Sequence, residues 1–393
     1  MKHYVNYSLL LLLGIVFSLS SKAQETTLVN GIYYEFNDET KTASVVWGEG
    51  YSGEINIPSI VNGYPVTSIG DYVFTGSPIT SVTIPNSVTS IGERPFGGCT
   101  ALVSVSMSNS VTSIGNFAFD GCTALTSIAL PNSVKSLGRN VFMGCTALTS
   151  ITIPESVESI GDAAFMGCTA LTSMSVEEGN AFYDSRENCN AIIQKSDNTL
   201  LAGCQSTIIP NSVTSIGPYA FEGCIALTSI NIPDAVTSIG RMAFRGCSAL
   251  TSVTIGGAVT TIDADAFGSC SALTSVTIGS SVTEIGIGAF EYCTALTHVT
   301  CEAVNPPALG VEAFQSIPEN ATLYVPDGSV AAYSADEKWS VFNRILPLNE
   351  LPTSIEAVKT DTDNSAVYNL SGQRMSNSGR GIFIKNGKKL IFK

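Results

Sequence analysis

Cysteine is the residue of this chain whose type and spacing most invite a chemical role. The 393 residues include 11 cysteines, an odd number, so at least one thiol is unpaired within a single chain. A zinc site takes cysteines in closely spaced pairs, and the sequence has none. Regular spacing instead predicts small, buried, apolar side chains. The regularly spaced cysteines each follow a phenylalanine by three positions: Cys99, Cys122, Cys145, Cys168, Cys224, Cys247, Cys270 and Cys293.

Cys189 and Cys204 stand outside this pattern and flank a segment with the sequence features of a hairpin. One interpretation is a disulfide between them, since the two strands of a hairpin bring their ends close together. The other interpretation is two free thiols. The sequence leaves both alternatives open.

Histidine-dependent catalysis has little support in the sequence. Only His3 and His298 are present, so outside the first residues any Ser-His or Cys-His dyad would need His298. That position holds serine in other units, such as Ser252, which favours a surface substitution. The acid pairs at residues 263 and 265 and at residues 361 and 363 lack the other ligands of a calcium loop. We therefore expect no enzyme activity, no metal site and no cofactor.

The charge and the first residues limit the partners and the location. With a formal net charge of −14, the chain lacks the basic surface that nucleic acids and anionic membranes require. Residues 1–23 combine a weakly basic start, a short apolar run and small residues up to Ala23, which predicts a secretory signal cleaved after Ala23. A membrane anchor is the alternative, but the run is shorter than the ~20 residues of a spanning helix. We expect a secreted or outer-cell-surface protein with no integral membrane segment in the mature chain.

A repeat of 23 residues positions the cysteines and the phenylalanines. Within one unit, Leu148, Ile151 and Ile153 follow the pattern L-x-x-I-x-I of a short strand with one buried face, and Pro154 ends it. A compact helical or 3-10 turn is predicted around Phe165. Because one unit cannot bury its apolar side alone, the units must stack into a solenoid with a parallel sheet. The phenylalanines that mark the units are Phe74, Phe96, Phe119, Phe142, Phe165, Phe221, Phe244, Phe267, Phe290 and Phe314.

The repeat resembles a known family. The L-x-x-I-x-I strand is similar to the leucine-rich repeat, and the phrase I-P-x-S-V-T-S-I-G-x-x-A-F-x-G-C resembles the BspA-like repeats of bacterial surface proteins. The resemblance covers about residues 55–345. It implies an α/β-type repeat solenoid, in which short strands form a parallel sheet, short helical or 3-10 turns connect them, and β-rich caps close the ends. It also implies an adhesive role.

The sequence outside the regular units suggests the domain organisation. Residues 24–54 are predicted to form an N-terminal β cap, and residues 55–348 the solenoid with a C-terminal cap from about residue 300. Residues 177–206 are predicted to contain an embedded hairpin, either a structural variant of the unit or a projecting binding loop. A linker is predicted at 349–363. Residues 364–393 resemble the C-terminal type IX sorting modules of Bacteroidetes, with a purely structural hairpin as the alternative.

The residues between the apolar strand positions form the candidate binding face, which we expect on the concave side of the solenoid. They carry hydroxyls and almost no charge or aromatic bulk, as expected of a soluble sheet surface or of a broad docking face. The first functional hypothesis is adhesion to extracellular host or bacterial surface proteins, and the alternative is a glycan-binding or glycan-associated surface protein. The candidate residues are Thr149, Ser150, Thr152, Thr228, Ser229, Asn231, Thr251, Ser252, Thr254, Thr274, Ser275, Thr277 and His298.

Overall fold

The computed structural model describes residues 26–351 and the backbone of residues 367–368, 374–375, 381–385 and 388–392. The predicted signal at 1–23, its cleavage after Ala23 and nearly all of the predicted linker lie outside the described residues. Within the part that is described, no helix has the length and apolar character needed to cross a membrane.

Typical units of the solenoid contribute one strand to each of two parallel sheets. The front sheet consists of the L-x-x-I-x-I strands, such as Ser150–Ile153. The second sheet, which we call the Ser-Ile sheet, consists of two-residue strands from the S-I-G phrase, such as Ser159–Ile160. The stacked parallel strands confirm the predicted leucine-rich repeat solenoid. The Ser-Ile sheet was not predicted, because two residues are too few to display a strand period.

The first strands cap the solenoid and continue into the Ser-Ile sheet. The chain begins with β1 (Thr27–Val29), β2 (Ile32–Asn37) and β3 (Thr42–Val45), which pair antiparallel. It continues with β4 (Gly53–Asn56), β5 (Ile60–Val61), β6 (Tyr64–Ile69), β7 (Ile79–Ile84), β8 (Ser90–Ile91), β9 (Ser104–Met107), β10 (Ser113–Ile114), β11 (Ser136–Leu137), β12 (Ser150–Ile153), β13 (Ser159–Ile160) and β14 (Ser173–Val176). Because β3 pairs in parallel with β6, the hairpin covers the edge that an open solenoid would expose.

The insertion between Phe165 and Phe221 repeats the arrangement of this cap. It contains β15 (Tyr183–Asp184), a 3-10 turn (Arg186–Asn188), β16 (Ala191–Gln194) and β17 (Thr199–Gly203). β16 and β17 form an antiparallel hairpin, and β17 pairs in parallel with the next Ser-Ile strand. The units that follow contain β18 (Ser215–Ile216), β19 (Ser229–Asn231), β20 (Ser238–Ile239), β21 (Ser252–Thr254), β22 (Thr261–Ile262), β23 (Ser275–Ile278) and β24 (Glu284–Ile285).

Aromatic side chains close the C-terminal end of the solenoid. The last elements are β25 (His298–Cys301), β26 (Ala308–Leu309), β27 (Thr322–Val325), α1 (Val330–Ala335), a 3-10 turn (Trp339–Val341), β28 (Arg344–Pro347) and a 3-10 turn (Leu348–Glu350). Trp339 is fully buried and its ring lies 5.7 Å from that of Phe314. Further along, β29 (Val367–Tyr368), β30 (Arg374–Met375), β31 (Gly381–Lys385) and β32 (Lys388–Phe392) form an antiparallel sheet in the order β30-β29-β31-β32.

Phenylalanine rings stack along the interior of the solenoid. The rings of Phe119 and Phe142 are 5.6 Å apart and nearly parallel, and those of Phe142 and Phe165 are 5.7 Å apart. A second stack begins at Phe221, whose ring lies 4.9 Å from that of Phe244. The offset stacking of buried aromatic rings stabilises each stack by more than the burial of their area alone.

The hairpin of the insertion divides the interior into two hydrophobic clusters. Ile192 and Ala202 pack in the first cluster with the units before the insertion. Ala191, Ile193 and Leu200 pack in the second cluster with the units after it. Successive strand residues point to opposite faces, so the hairpin is buried on both sides and forms an internal partition.

In the regular units, the segments that connect the strands are successions of hydrogen-bonded turns, and no helix forms there among the described residues. In the Phe142 unit, the amide of Cys145 donates to the carbonyl of Phe142 at 3.1 Å. Asn140 precedes this turn and Gly144 lies within it, with φ values of 54° and 67°. These left-handed residues stop the turn from continuing as the short helix that the sequence allowed.

Candidate binding face

The front sheet aligns the candidate residues of successive units in columns. After the insertion, Ser229, Ser252, Ser275 and His298 are register partners in turn, as are Asn231, Thr254 and Thr277. Neighbouring strands in a sheet lie about 4.8 Å apart, so each column presents polar groups at a constant spacing. The residues between the columns, such as Val253, are buried beneath the sheet.

Most of the candidate residues are exposed on one face. Ser275 and Thr277 are half-buried, and the others are exposed to solvent. The insertion separates Thr149, Ser150 and Thr152 from the remainder, so the structure brings together only the ten residues that follow it. The exposed members of this second group are Thr228, Ser229, Asn231, Thr251, Ser252, Thr254, Thr274 and His298.

Several threonine hydroxyls of this face are already used within the solenoid. The hydroxyl of Thr274 donates to the carbonyl of Thr251 at 3.0 Å, and that of Thr251 donates to the carbonyl of Thr228 at 3.4 Å. Thr149 makes the same bond to the preceding unit at 3.3 Å. Because each hydroxyl has one hydrogen, these threonines can only accept a further hydrogen bond, whereas Ser229 and Ser252 make no side-chain hydrogen bond among the described residues. The serine column is therefore the better source of donors for a partner.

His298 contacts a hydroxyl and an aromatic ring. Its Nδ1 lies 2.8 Å from the Thr297 hydroxyl, and its ring is parallel to that of Tyr324 with the centroids 6.1 Å apart. Neither neighbour is a carboxylate that would orient the imidazole as in a catalytic triad, and the Thr297 hydroxyl also lies 3.3 Å from the carbonyl of Thr274. In the register of the front sheet, His298 follows Ser275 and is followed by Thr322.

The structure does not form a disulfide between Cys189 and Cys204, and all 11 cysteines are free thiols. Cys189 packs with the second hydrophobic cluster and Cys204 with the first. The strand alternation of the hairpin therefore points the two sulfurs to opposite sides of the partition.

The regularly spaced cysteines form a buried ladder. The Sγ of Cys145 donates to the carbonyl of Phe119 at 3.1 Å, a bond that recurs from Cys122 to Phe96 and from Cys168 to Phe142. Burial disfavours the thiolate and raises the pKa of Cys145 to about 12. Thiols of this kind pack as small apolar groups and are poor nucleophiles at neutral pH.

Two buried carboxylates, each directly after a repeat phenylalanine, were not predicted from the sequence. Asp120 lies 3.0 Å from Arg94, and Glu222 lies 3.5 Å from Arg245. Burial raises the pKa of each carboxyl, and the nearby arginine opposes that rise. Glu222 also lines a cavity of about 50 Å³ at the insertion. In the described ranges, no three acidic, histidine or cysteine side chains come close enough to hold a metal ion.

A comparison with models of protein families identifies the repeat. The model of the BspA type leucine rich repeat region matches residues 67–192 and 199–319, with six copies. The chain belongs to the BspA-type leucine-rich repeat family. The matched residues include all of the candidate residues on the front sheet, so the candidate face is built from the BspA-type repeat itself. A comparison with curated protein sequences gave no significant match.

The chain is similar to solved structures of several bacterial proteins. The pneumococcal vaccine antigen PcpA is 19% identical with a TM-score of 0.62, covering 82% of this chain and 98% of that one, and so has the same fold. A leucine-rich repeat protein from Bacteroides ovatus is 27% identical with a TM-score of 0.46, covering 77% of this chain and 95% of its own. A leucine rich cell surface protein from Faecalibacterium prausnitzii is 26% identical with a TM-score of 0.47, covering 82% and 95%.

Proposed function

We propose that the protein is exported through its N-terminal signal and acts outside the cell, or on its surface, as an adhesion protein. Its partner is an extracellular protein of a host or of another bacterium. The observation that carries the proposal is the column of uncharged side chains on the front sheet after the insertion, which includes the exposed Ser229 and Ser252 and the half-buried Ser275. A regular surface of this kind is extended enough for a protein partner, and membership of the BspA-type family supports a binding scaffold.

Glycan binding remains the second candidate, but no specific observation favours it. Sugar sites usually contain exposed aromatic rings on which a pyranose ring stacks. Among the described residues, the exposed aromatic side chains are Trp47, Tyr72, Phe182 and Tyr292, and none belongs to the strands of the front sheet. Tyr324, which does belong to the front sheet, is buried.

We propose that residues 364–393 act as a sorting or surface-attachment module. Four antiparallel strands in this segment support a small separate unit. Expressing the chain with and without residues 364–393 tests this role. If the module directs sorting, its removal should leave the protein inside the envelope, and unchanged delivery to the surface would contradict the proposal.

The binding proposal is tested by measuring retention of residues 24–393 on immobilised extracellular-matrix and bacterial-surface proteins, with a glycan array in parallel. The variant Ser229→Arg, Ser252→Arg and Ser275→Arg should lose the retained partner, because bulky charged groups obstruct the column. The matched control is Thr214→Lys, Thr237→Lys and Thr260→Lys at the edge of the Ser-Ile sheet, where Lys135 naturally occupies the same repeat position. Retention by the glycan array alone, or equal loss in both variants, would count against adhesion through the front sheet.

A further inference from the structure

The front sheet is interrupted at the insertion. β19 forms one end of a six-stranded sheet, and β14 forms one end of a separate pair of strands with β12. The amides of Thr251, Thr274 and Thr297 donate to the preceding unit at 3.3, 2.8 and 3.0 Å. Within the described residues, the equivalent amide of Thr228 has no hydrogen-bond partner. β19 therefore presents an open strand edge in the middle of the solenoid.

The insertion explains why the sheet opens here. The units before and after the insertion are in direct contact at the turns that precede their repeat cysteines. There the amide of Gly167 donates to the carbonyl of Glu222 at 3.1 Å. On the opposite side, the hairpin lies between the same two units. The segment 207–209, which precedes β19 in the front sheet, pairs with no strand, and the amide of Ile208 donates instead to Cys189 at 3.0 Å. The chain thus leaves a gap beside β19.

This gap is a slot of about 400 Å³ with an uncharged lining. The Ile208 side chain is 76% exposed at its rim. Ile230 on β19 is half-exposed, whereas its register partner Val253 and the next residue in that column, Val276, are buried. We define the slot by its lining residues Thr207, Ile208, Ile209, Ser229, Ile230, Asn231, Ser252 and Thr254.

We propose that the slot is a docking site for an extended, uncharged peptide segment of the protein partner, which adds a strand to β19. An open strand edge offers backbone N–H and C=O groups at the spacing of another extended chain, and this edge is about 10 Å long. The exposed isoleucines favour apolar side chains on the incoming segment. A charged segment would lose hydration without meeting an opposite charge, since no lining residue is ionisable. The inference rests on the proposed function, because it takes the partner to be a protein.

The probe is a fluorescein-labelled peptide with the sequence of residues 148–153, L-T-S-I-T-I. It is chosen because these residues form a front strand that pairs with the neighbouring front strand β14 in the protein. We expect saturable binding to residues 24–393 in fluorescence anisotropy. An N-methylated form of the same peptide, which lacks the strand-forming amides, should bind about tenfold more weakly or not at all.

Two variants test whether the peptide binds in the slot. Ile208→Asp should weaken peptide binding by about tenfold, because it places a charge at the rim of the slot. Ile287→Asp is the matched control, since Ile287 is also exposed but lies outside the slot, and it should leave binding unchanged. Equal binding of the two peptide forms, or equal loss in the two variants, would overturn the proposal.

The remaining outcomes separate this inference from the function on which it depends. A protein partner whose retention survives Ile208→Asp but not the triple serine variant would support adhesion through the front sheet and overturn the slot as the docking site. Concentration-dependent dimerisation that Ile208→Asp abolishes, measured by light scattering, would make a second copy of this chain the occupant and overturn a foreign peptide.

Discussion

Glycine occupies the turn before the repeat cysteine in most units because the backbone is left-handed there. Gly144 and Gly246 have φ values of 67° and 72° at this position. In the next two units, Ser269 and Tyr292 have φ values of 59° and 57°. A residue with a Cβ pays a steric penalty in this conformation, so stacking of the units imposes local strain at these two positions.

Ser269→Gly should therefore stabilise the protein by about 1 kcal/mol, because it removes the Cβ from a left-handed residue. The matched control is Gly246→Ala, which should destabilise by about 1 kcal/mol, although the nearest atom to the added Cβ lies 3.9 Å away. Urea unfolding followed by circular dichroism measures both changes. A lower unfolding midpoint for Ser269→Gly would contradict the strain argument.

The buried thiols make stability depend on pH above the ordinary thiol pKa of 9.0. Burial raises the pKa of Cys145 to about 12 in the folded state. Below pH 9 the thiol keeps its proton in both states and its contribution to stability is constant. Between 9 and about 12 the unfolded chain releases a proton that the folded chain retains, so the free energy of unfolding falls as pH rises.

Each such thiol should contribute a slope of up to about 1.4 kcal/mol per pH unit. Cys145→Ala removes one of them, so its free energy of unfolding should fall less steeply than that of the parent protein at pH 9 to 10.5 or so. Urea titrations at several pH values give the two slopes. Identical slopes would mean that Cys145 is not protected from ionisation.

At the scale of the element, the hairpin of the insertion depends on close contact with the second phenylalanine stack. A Cβ added to Gly203 on β17 would lie 2.2 Å from the ring of Phe221. Gly203 therefore lets the strand pass directly over the first ring of the stack. This contact joins the partition to the units that follow it.

Gly203→Ala should destabilise the protein by about 1–3 kcal/mol, because the added methyl must displace either the strand or the ring. Gly328→Ala is the control, since no atom lies within 4 Å of its added Cβ and its φ is not positive. Thermal unfolding should show a lower midpoint for Gly203→Ala alone. An unchanged midpoint would show that Phe221 has room to move.

At the scale of the whole molecule, the chain forms two stacks of repeat units, and each stack begins with a capping hairpin. The N-terminal hairpin covers the first stack and the internal hairpin separates it from the second, each by joining a Ser-Ile sheet through one parallel strand. The internal hairpin contributes side chains to both hydrophobic clusters. The insertion is thus a second cap placed inside a repeat array.

Deletion of residues 177–209 should convert the two stacks into one, because it leaves Phe165 and Phe221 separated by one repeat of 23 residues. We expect a folded protein with a single unfolding transition, in which these two rings stack as Phe142 and Phe165 do. Calorimetry and a crystal structure test this expectation. The control deletion of residues 177–198 retains β17 without its partner strand and should unfold at a lower temperature. A parent-like midpoint in the control, or aggregation of the first variant, would contradict the role of the hairpin as a cap.

The sequence by itself determined the repeat, the direction of its side chains and the position of the insertion. Residues equivalent to Phe142, Cys145 and Ile151 recur every 23 residues in the regular units. Such a repeat indicates which side of each unit is buried. The exposed column at Ser229 and Ser252 follows from the same alternation, and the 56-residue spacing from Phe165 to Phe221 marks the insertion.

Only the tertiary structure decided which contacts and hydrogen bonds form between neighbouring units. It placed Cys189 and Cys204 on opposite sides of a partition, used the Thr274 hydroxyl to bond the preceding unit, and opened the sheet beside Ile230. Each outcome depends on backbone groups far apart in the chain that meet only when units stack. Local sequence specifies which side chains are available, whereas stacking decides which of their hydrogen bonds and surfaces remain for a partner.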